Sequence, residues 1–216
     1  MGIEAVIFDL DGVLVDSAQA HHRSWQALGA ELGCEVTAEQ FAATFGRQNR
    51  DIVPLLFGEQ TDPDGVQRLS DRKEQIYRDL IRGRVPAVPG AVELVGRCAG
   101  AGLSLAIGSS APKENIDLVL SAMGIADFFE VVVHEGDVQR GKPDPQVFVL
   151  AAERLGVPAA RCAVIEDAPS GIRAARAAGM IAVGLTSHHP AEALADAHLV
   201  VDRLEDLSPE VITGLA

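Results

Sequence analysis

The sequence predicts an α/β protein: a doubly wound parallel sheet with a second, all-helical domain inserted after the first strand. Three observations carry that expectation. Short apolar, β-branched runs recur at residues 5–8, 103–110, 129–136, 162–168, 181–187 and 198–201. Near-continuous apolar runs of this length indicate strands buried on both faces. From Pro86 onward, helical stretches of ten or more residues lie between most of these runs. Many are Ala-rich and closed by a glycine, namely Gly102, Gly124, Gly156 or Gly179, and strands alternating with helices give a parallel sheet covered on both sides. Residues from about 17 to 84, by contrast, hold helical patterns and no strand candidate.

The elements follow in order. Ala5-Val6-Ile7-Phe8 reads as a buried strand. His21, Trp25, Leu28 and Leu32 then fall at i, i+4, i+7 and i+11, one stripe of an amphipathic helix ending near Gly33. Thr37 with Gln40 has the spacing of a capping box before a short helix through Phe41. Asp51 to Phe57 is a third helical piece, and the turn "EQTDPDG" leads into a long charged helix from Val66 to Ile81. Val15 to Ser17 reads as the outgoing linker, and Pro86 with Pro89-Gly90 as the return. The expected division is therefore 1–15 with 87–216 for the sheet domain and 16–86 for the helical one.

Composition narrows the function classes. The chain has 216 residues, 48% of them hydrophobic, enough for a sizeable core. Its net charge is −13, from 18 Lys+Arg against 31 Asp+Glu, with no basic tract. That argues against a nucleic-acid partner, whose phosphates need a basic surface. Cys34, Cys98 and Cys162 are scattered and form no C-x-x-C pair, as expected of buried thiols in a reducing compartment. The start lacks the charged and apolar regions of a secretion signal, and Val6 stands where a myristoylation site has Ser or Thr. No apolar stretch reaches membrane-spanning length. A cytoplasmic protein without a membrane partner is expected and, with no coiled coil evident, a monomer.

Ligands of open α/β sheets bind at the carboxyl ends of the strands. The residues at or just beyond the carboxyl end of each run are Asp9 and Asp11; Ser109 and Ser110; His134-Glu135-Gly136 with Lys142 beyond; and Glu166-Asp167. Asp9 and Asp11, two apart in extended chain, share a face. Carboxylates placed together call for a cation. Mg²⁺ suits them, since it takes oxygen ligands and keeps positions for water and phosphate. Asp167 supplies a second carboxylate, while Glu166 beside it faces the other way unless the chain turns, and so is given an outer role. A carboxylate beside Mg²⁺ can attack phosphorus, and Lys142 with the metal would neutralise the phosphoryl oxygens. A second aspartate can shuttle the proton. Ser109 precedes a helix announced by Pro112, where a hydroxyl and free N–H groups make a phosphate cradle.

These residues resemble a known family. Asp9-Leu10-Asp11-Gly12-Val13, Ser109, Lys142-Pro143 and Glu166-Asp167 are similar to the four ordered signature motifs of the haloacid dehalogenase superfamily. The helical insertion resembles its α-helical cap, and the resemblance spans essentially the whole chain. It implies Asp9 as nucleophile and Asp11 as acid/base, with its backbone carbonyl touching Mg²⁺. It implies Ser109 and Lys142 as holders of the phosphoryl group, Asp167 and Glu166 as completing the metal site, and a cap that closes over it. The second aspartate sets the sequence apart from the superfamily's dehalogenases, which lack an acid there and need no Mg²⁺. Within the superfamily, "DGVLVDSAQAHHRSW" resembles β-phosphoglucomutase and its hexose-phosphate phosphatase relatives, which implies hinge and substrate roles for Asp16, His21 and Trp25. "TFGRQNRD" (44–51) resembles the loop that reads the substrate, bringing in Gly46, Arg47 and Arg50. Phe45 stands where the mutase has a lysine, and Asn49 where it has the arginine that grips a second phosphate. Losing both basic groups favours a phosphatase acting on a small phosphorylated metabolite over a mutase.

Plainer readings compete. A lone D-x-D-G is a turn cap more often than a catalytic pair, and it is the other motifs that tip the balance. Ser110 is an ordinary turn residue or a second phosphate contact. Trp25 is cap core or substrate contact. His134, His188 and His189 read as plain loop histidines without metal-ligand spacing. A non-catalytic phosphometabolite-binding module is disfavoured because every catalytic position is filled.

Overall fold

The computed structural model describes residues 2–44, 47–58 and 62–215. The chain divides into two compact units, Met1–Asp16 with Pro86–Ala216, and Ser17–Val85. Among the described residues no helix is long and apolar enough to cross a membrane.

The larger unit is built on six parallel strands: β1 (Ala5–Phe8), β2 (Ser104–Gly108), β3 (Val131–Val133), β4 (Cys162–Glu166), β5 (Ile181–Leu185) and β6 (Leu199–Val201). Their order is β3-β2-β1-β4-β5-β6. The chain thus steps outward from β1 to β3, then restarts on the other side of β1 with β4. That reversal puts the topological switch point between β1 and β4, where a doubly wound sheet opens a crevice at its carboxyl edge. Successive strand side chains face opposite sides, and Ala5, Val6, Ile7 and Phe8 are all fully buried, so both faces of the sheet are covered. This is why the strands read as uninterrupted apolar runs.

The helices of this unit are α5 (Ala91–Gly100), α6 (Lys113–Met123), α7 (Gln146–Leu155), α8 (Pro169–Ala177) and α9 (Pro209–Thr213). One layer of core joins Ile7, Ala106 and Val164 of the sheet to Phe148 and Ala151 of α7 and to Ile172 and Ala175 of α8. Gly124 and Gly156 close α6 and α7 in the left-handed region, at φ 68° and 72°, a conformation open to glycine at no steric cost.

The smaller unit holds α1 (Ala18–Glu31), α2 (Ala38–Thr44), α3 (Asn49–Phe57) and α4 (Pro63–Ile81). Trp25, Leu28, Val36, Ile52 and Val53 form its core. The Thr37–Gln40 capping box is present in both directions, at 2.9 and 3.2 Å. Three expectations are corrected. α4 begins three residues earlier than predicted, because Asp62 accepts a hydrogen bond from the Gly65 amide at 2.6 Å and Pro63 fits the first helical position. Leu32 does not join the apolar stripe: α1 ends at Glu31 and Leu32 is 47% exposed. Cys34 is exposed, while Cys98 and Cys162 are buried as expected.

Candidate active site

Register sets the site. Phe8 pairs with Ile165 of β4 and with Ile107 of β2, and the Asp9 amide continues the ladder by donating to the Ile165 carbonyl at 3.0 Å. Asp9 therefore stands level with Glu166 across the switch point, and parallel neighbours lie within about 5 Å of each other. Glu166 is the last residue of β4, and the chain bends immediately after it. The bend lets Glu166 and Asp167, which strict alternation would send to opposite faces, enter one cluster. One ligand oxygen from each of Asp9, Glu166 and Asp167 lies within 4.8 Å of the others, and all three residues are buried.

Lys142 ties the cluster together. Its ammonium donates to Asp9 Oδ1 at 2.7 Å and to Glu166 Oε1 at 2.8 Å, with the lysine side chain 5% exposed. Phe148 lies beneath it, the Nζ 4.7 Å from the ring centroid, where a cation is attracted to the aromatic face. The second Glu166 oxygen accepts from the Ala168 amide at 2.7 Å. Gly171, in the first turn of α8, makes room for this carboxylate, since a Cβ there would fall 1.7 Å from Glu166 Oε1.

The electrostatics follow from burial. Removing these carboxylates from water disfavours their charged form. Burial pushes Asp9 up to about 7, with Glu166 and Asp11 adding to the rise and Lys142 opposing it. Glu166 and Asp167 are also raised, again chiefly by burial. For Lys142, burial alone would lower the pKa, but the charges of Asp9 and Glu166 outweigh it and hold the ammonium protonated. Three buried carboxylates raised together are a site that a further cation would relieve. The donor set is all oxygen, which suits Mg²⁺, so Asp9, Glu166 and Asp167 fit that ion.

The other predicted residues fall as follows. Asp11 is half-buried in the turn after β1 and lies outside the three-carboxylate cluster. Ser109 is 1% exposed, and its hydroxyl accepts from the Ala111 amide at 3.1 Å on the approach to α6; Ser110 beside it is half-buried. His134 is not gathered with the acids: it forms a local capping box with Asp137. Gly46 and Phe45 lie outside the described residues. In the smaller unit, His21 stacks on Tyr77 with ring centroids 3.9 Å apart, and its Nδ1 is 2.7 Å from Lys73 Nζ. Trp25 is 1% exposed and part of that unit's core. Arg47 and Arg50 are both exposed, in the stretch between α2 and α3 and in the first turn of α3.

Several residues were not singled out from the sequence. Lys73 and Glu74, 2% and 5% exposed, pair at 2.7 Å inside the smaller unit, and Asn49 donates to Glu74 at 2.6 Å. Nothing in a charged helix distinguishes these two from solvated neighbours. His188 and His189, expected to be plain loop histidines, instead face Asp167: His188 Nδ1 lies 2.9 Å from Asp167 Oδ2, and His189 Nδ1 lies 3.1 Å from the Asp167 carbonyl. The hydrogen bond to Asp167 is the chief cause of a raised His188 pKa.

A parallel α/β sheet with a lysine-bridged carboxylate cluster at its switch point is an arrangement suited to carboxylate chemistry on an anionic substrate. The comparisons give the family: the profile of the haloacid dehalogenase-like hydrolases matches residues 3–179, and the chain belongs to that family. The 5-amino-6-(5-phospho-D-ribitylamino)uracil phosphatase of Arabidopsis thaliana is 34% identical over 204 residues. The match covers 94% of this chain but 55% of that longer protein. A phosphorylated carbohydrates phosphatase of Thermotoga maritima is 30% identical, over 82% of each chain. Among solved structures, a β-phosphoglucomutase from Clostridium difficile superimposes with a TM-score of 0.89 at 29% identity, covering 99% of this chain and 96% of that one.

Proposed function

We propose that the protein is a Mg²⁺-dependent phosphatase that hydrolyses a small phosphorylated metabolite, of the sugar-phosphate class, through an aspartyl-phosphate on Asp9. The observation that carries this reading is Lys142 held at 2.7 and 2.8 Å between Asp9 and Glu166 in a buried carboxylate cluster. Asp9 attacks phosphorus, the P–O bond to the alcohol breaks, and Asp11 donates a proton to the departing oxygen. Water then attacks the aspartyl-phosphate, giving its proton to Asp11, and free phosphate leaves with Asp9 restored. Lys142 and the N–H groups near Ser109 stabilise the phosphoryl oxygens. Asp9, Asp167 and Glu166, with the Asp11 carbonyl, would hold Mg²⁺, which would supply positive charge to the carboxylates and the phosphoryl group. In the smaller unit, His21, Trp25, Gly46, Arg47 and Arg50 are assigned to substrate selection, and Ser110 to the phosphate end.

A mutase of the β-phosphoglucomutase kind is the competing reading, supported by the likeness to that enzyme. Asn49 weighs against it. At the position where the resemblance places a phosphate-gripping arginine, this chain has a neutral, buried side chain committed to Glu74. Phosphorus NMR of the purified protein with Mg²⁺, β-glucose 1-phosphate and a trace of the 1,6-bisphosphate separates the two. Free phosphate growing alone supports the phosphatase. Glucose 6-phosphate growing ahead of phosphate makes the protein a mutase. Silence here and across a panel of sugar, polyol and nucleoside monophosphates overturns both.

A further inference from the structure

We propose that His188 is a positioning residue that orients the Asp167 carboxylate for a divalent cation; the inference rests on the metal reading given above. His188 stands in the loop Thr186-Ser187-His188-His189 that follows β5. That loop is fastened on several sides. The Thr186 amide donates to the Val201 carbonyl at 3.0 Å, and its hydroxyl donates to Asp202 at 2.8 Å. The Ser187 hydroxyl donates to the Gly12 carbonyl at 2.5 Å, tying the loop to the turn that carries Asp11. From this base the imidazole spans two carboxylates: Nδ1 is 2.9 Å from Asp167 Oδ2, and Nε2 is 3.3 Å from Asp16 Oδ1.

The backbone of the first motif makes space for that pair. Gly12 has φ +80°, and a Cβ there would fall 2.0 Å from Asp167 Oδ2 and 2.8 Å from His188 Nδ1. The glycine thus leaves the volume in which imidazole and carboxylate meet. The His188 ring is 19% exposed at the side chain and directs both nitrogens at acids, one of them in the carboxylate cluster. A carboxylate that ligates a metal turns about its last torsion, and a donor on one oxygen sets its plane. Such outer contacts are worth about 10- to 100-fold in metal affinity.

The test is calorimetric titration of Mg²⁺ into the full-length protein, wild type against H188A, H188N and H188Q, alongside thermal melts without metal. The asparagine amide nitrogen occupies the place of Nδ1, while glutamine reaches only the place of Nε2. We expect H188A to weaken Mg²⁺ binding by about 10- to 100-fold, H188N to bind close to wild type, and H188Q to resemble H188A. Folded H188A binding Mg²⁺ as wild type does would overturn the proposal. So would H188N and H188Q binding equally, and that comparison decides the matter if H188A fails to fold. A wild-type protein that takes up no Mg²⁺ would overturn the metal reading itself, and this inference with it.

Discussion

Asp9 is held between opposed forces: burial raises its pKa to about 7, while the Lys142 ammonium 2.7 Å away favours the charged form. Further positive charge beside this carboxylate would favour its ionised form. Asp9→Asn keeps the shape and removes the proposed nucleophile. Phosphate release should fall by at least about 10³-fold with the melting temperature little changed; activity within tenfold of wild type would sink the assignment. Gly171 offers a second test at this scale. Alanine is the better helix former by about 1 kcal/mol, so Gly171→Ala in α8 should stabilise the fold on local grounds. Its Cβ, however, meets the Glu166 carboxylate at 1.7 Å. We expect turnover to drop by roughly 10²-fold as Glu166 leaves Lys142. Unchanged turnover would show that the position of Glu166 does not matter to the chemistry.

At the scale of elements, the smaller unit is joined by a polar cluster as well as by its apolar core. His21 of α1, Asn49 of α3 and the Lys73–Glu74 pair of α4 meet in its interior. Burial alone would raise the Glu74 pKa, but Lys73 and His21, with hydrogen bonds from Asn49 and Lys73, bring it down to about 2. A carboxylate depressed in the folded state stabilises above its unfolded pKa of 4.5 and loses that contribution as pH falls towards 2. The full effect is up to roughly 3 kcal/mol. Glu74→Gln should therefore be less stable than wild type at pH 7, with the gap narrowing towards pH 3. Urea midpoints followed by circular dichroism at the two pH values measure it, and a gap independent of pH would refute the account.

Over the whole molecule, parallel strands from distant parts of the chain bring Asp9, Lys142 and Glu166-Asp167 to one edge. Their mutual repulsion is a cost of the metal-free fold, so a cation that binds only the folded state should stabilise it. At 100 times its dissociation constant the gain is about 2.7 kcal/mol. For a protein of this size that is a rise of about 5–10 °C in melting temperature, reversed by chelator. Asp9 is raised to about 7, so protons compete with the cation for its carboxylate as pH falls below that value. The Mg²⁺ shift should accordingly be smaller at pH 5 than at pH 8. Scanning calorimetry at both pH values checks this, and an equal shift would remove the carboxylates from the binding site.

How much of this was legible in the sequence depended on whether the signal was local. Strands buried on both faces write themselves as unbroken apolar runs, and helices as a 3.6-residue period with glycine stops. From these alone the doubly wound sheet and the position of the helical insertion could be read. Acids placed just after strands also mark the carboxyl edge, because the topology rule needs no side-chain contact. Other features have no local signature. A buried Lys73–Glu74 pair is spelled like a solvated helix face, His188 like any loop histidine, and Leu32 like a stripe residue until the helix stops one residue short. Whether Asp167 joins Asp9 and Glu166 rested on a single bend after β4, and the room for the Glu166 carboxylate on Gly171. Residue types and their order along the chain determined the architecture and the chemistry on offer. Which atoms meet was decided only by tertiary packing, because a hydrogen bond at 2.7 Å, such as that from Lys142 to Asp9, joins residues 133 positions apart in the chain.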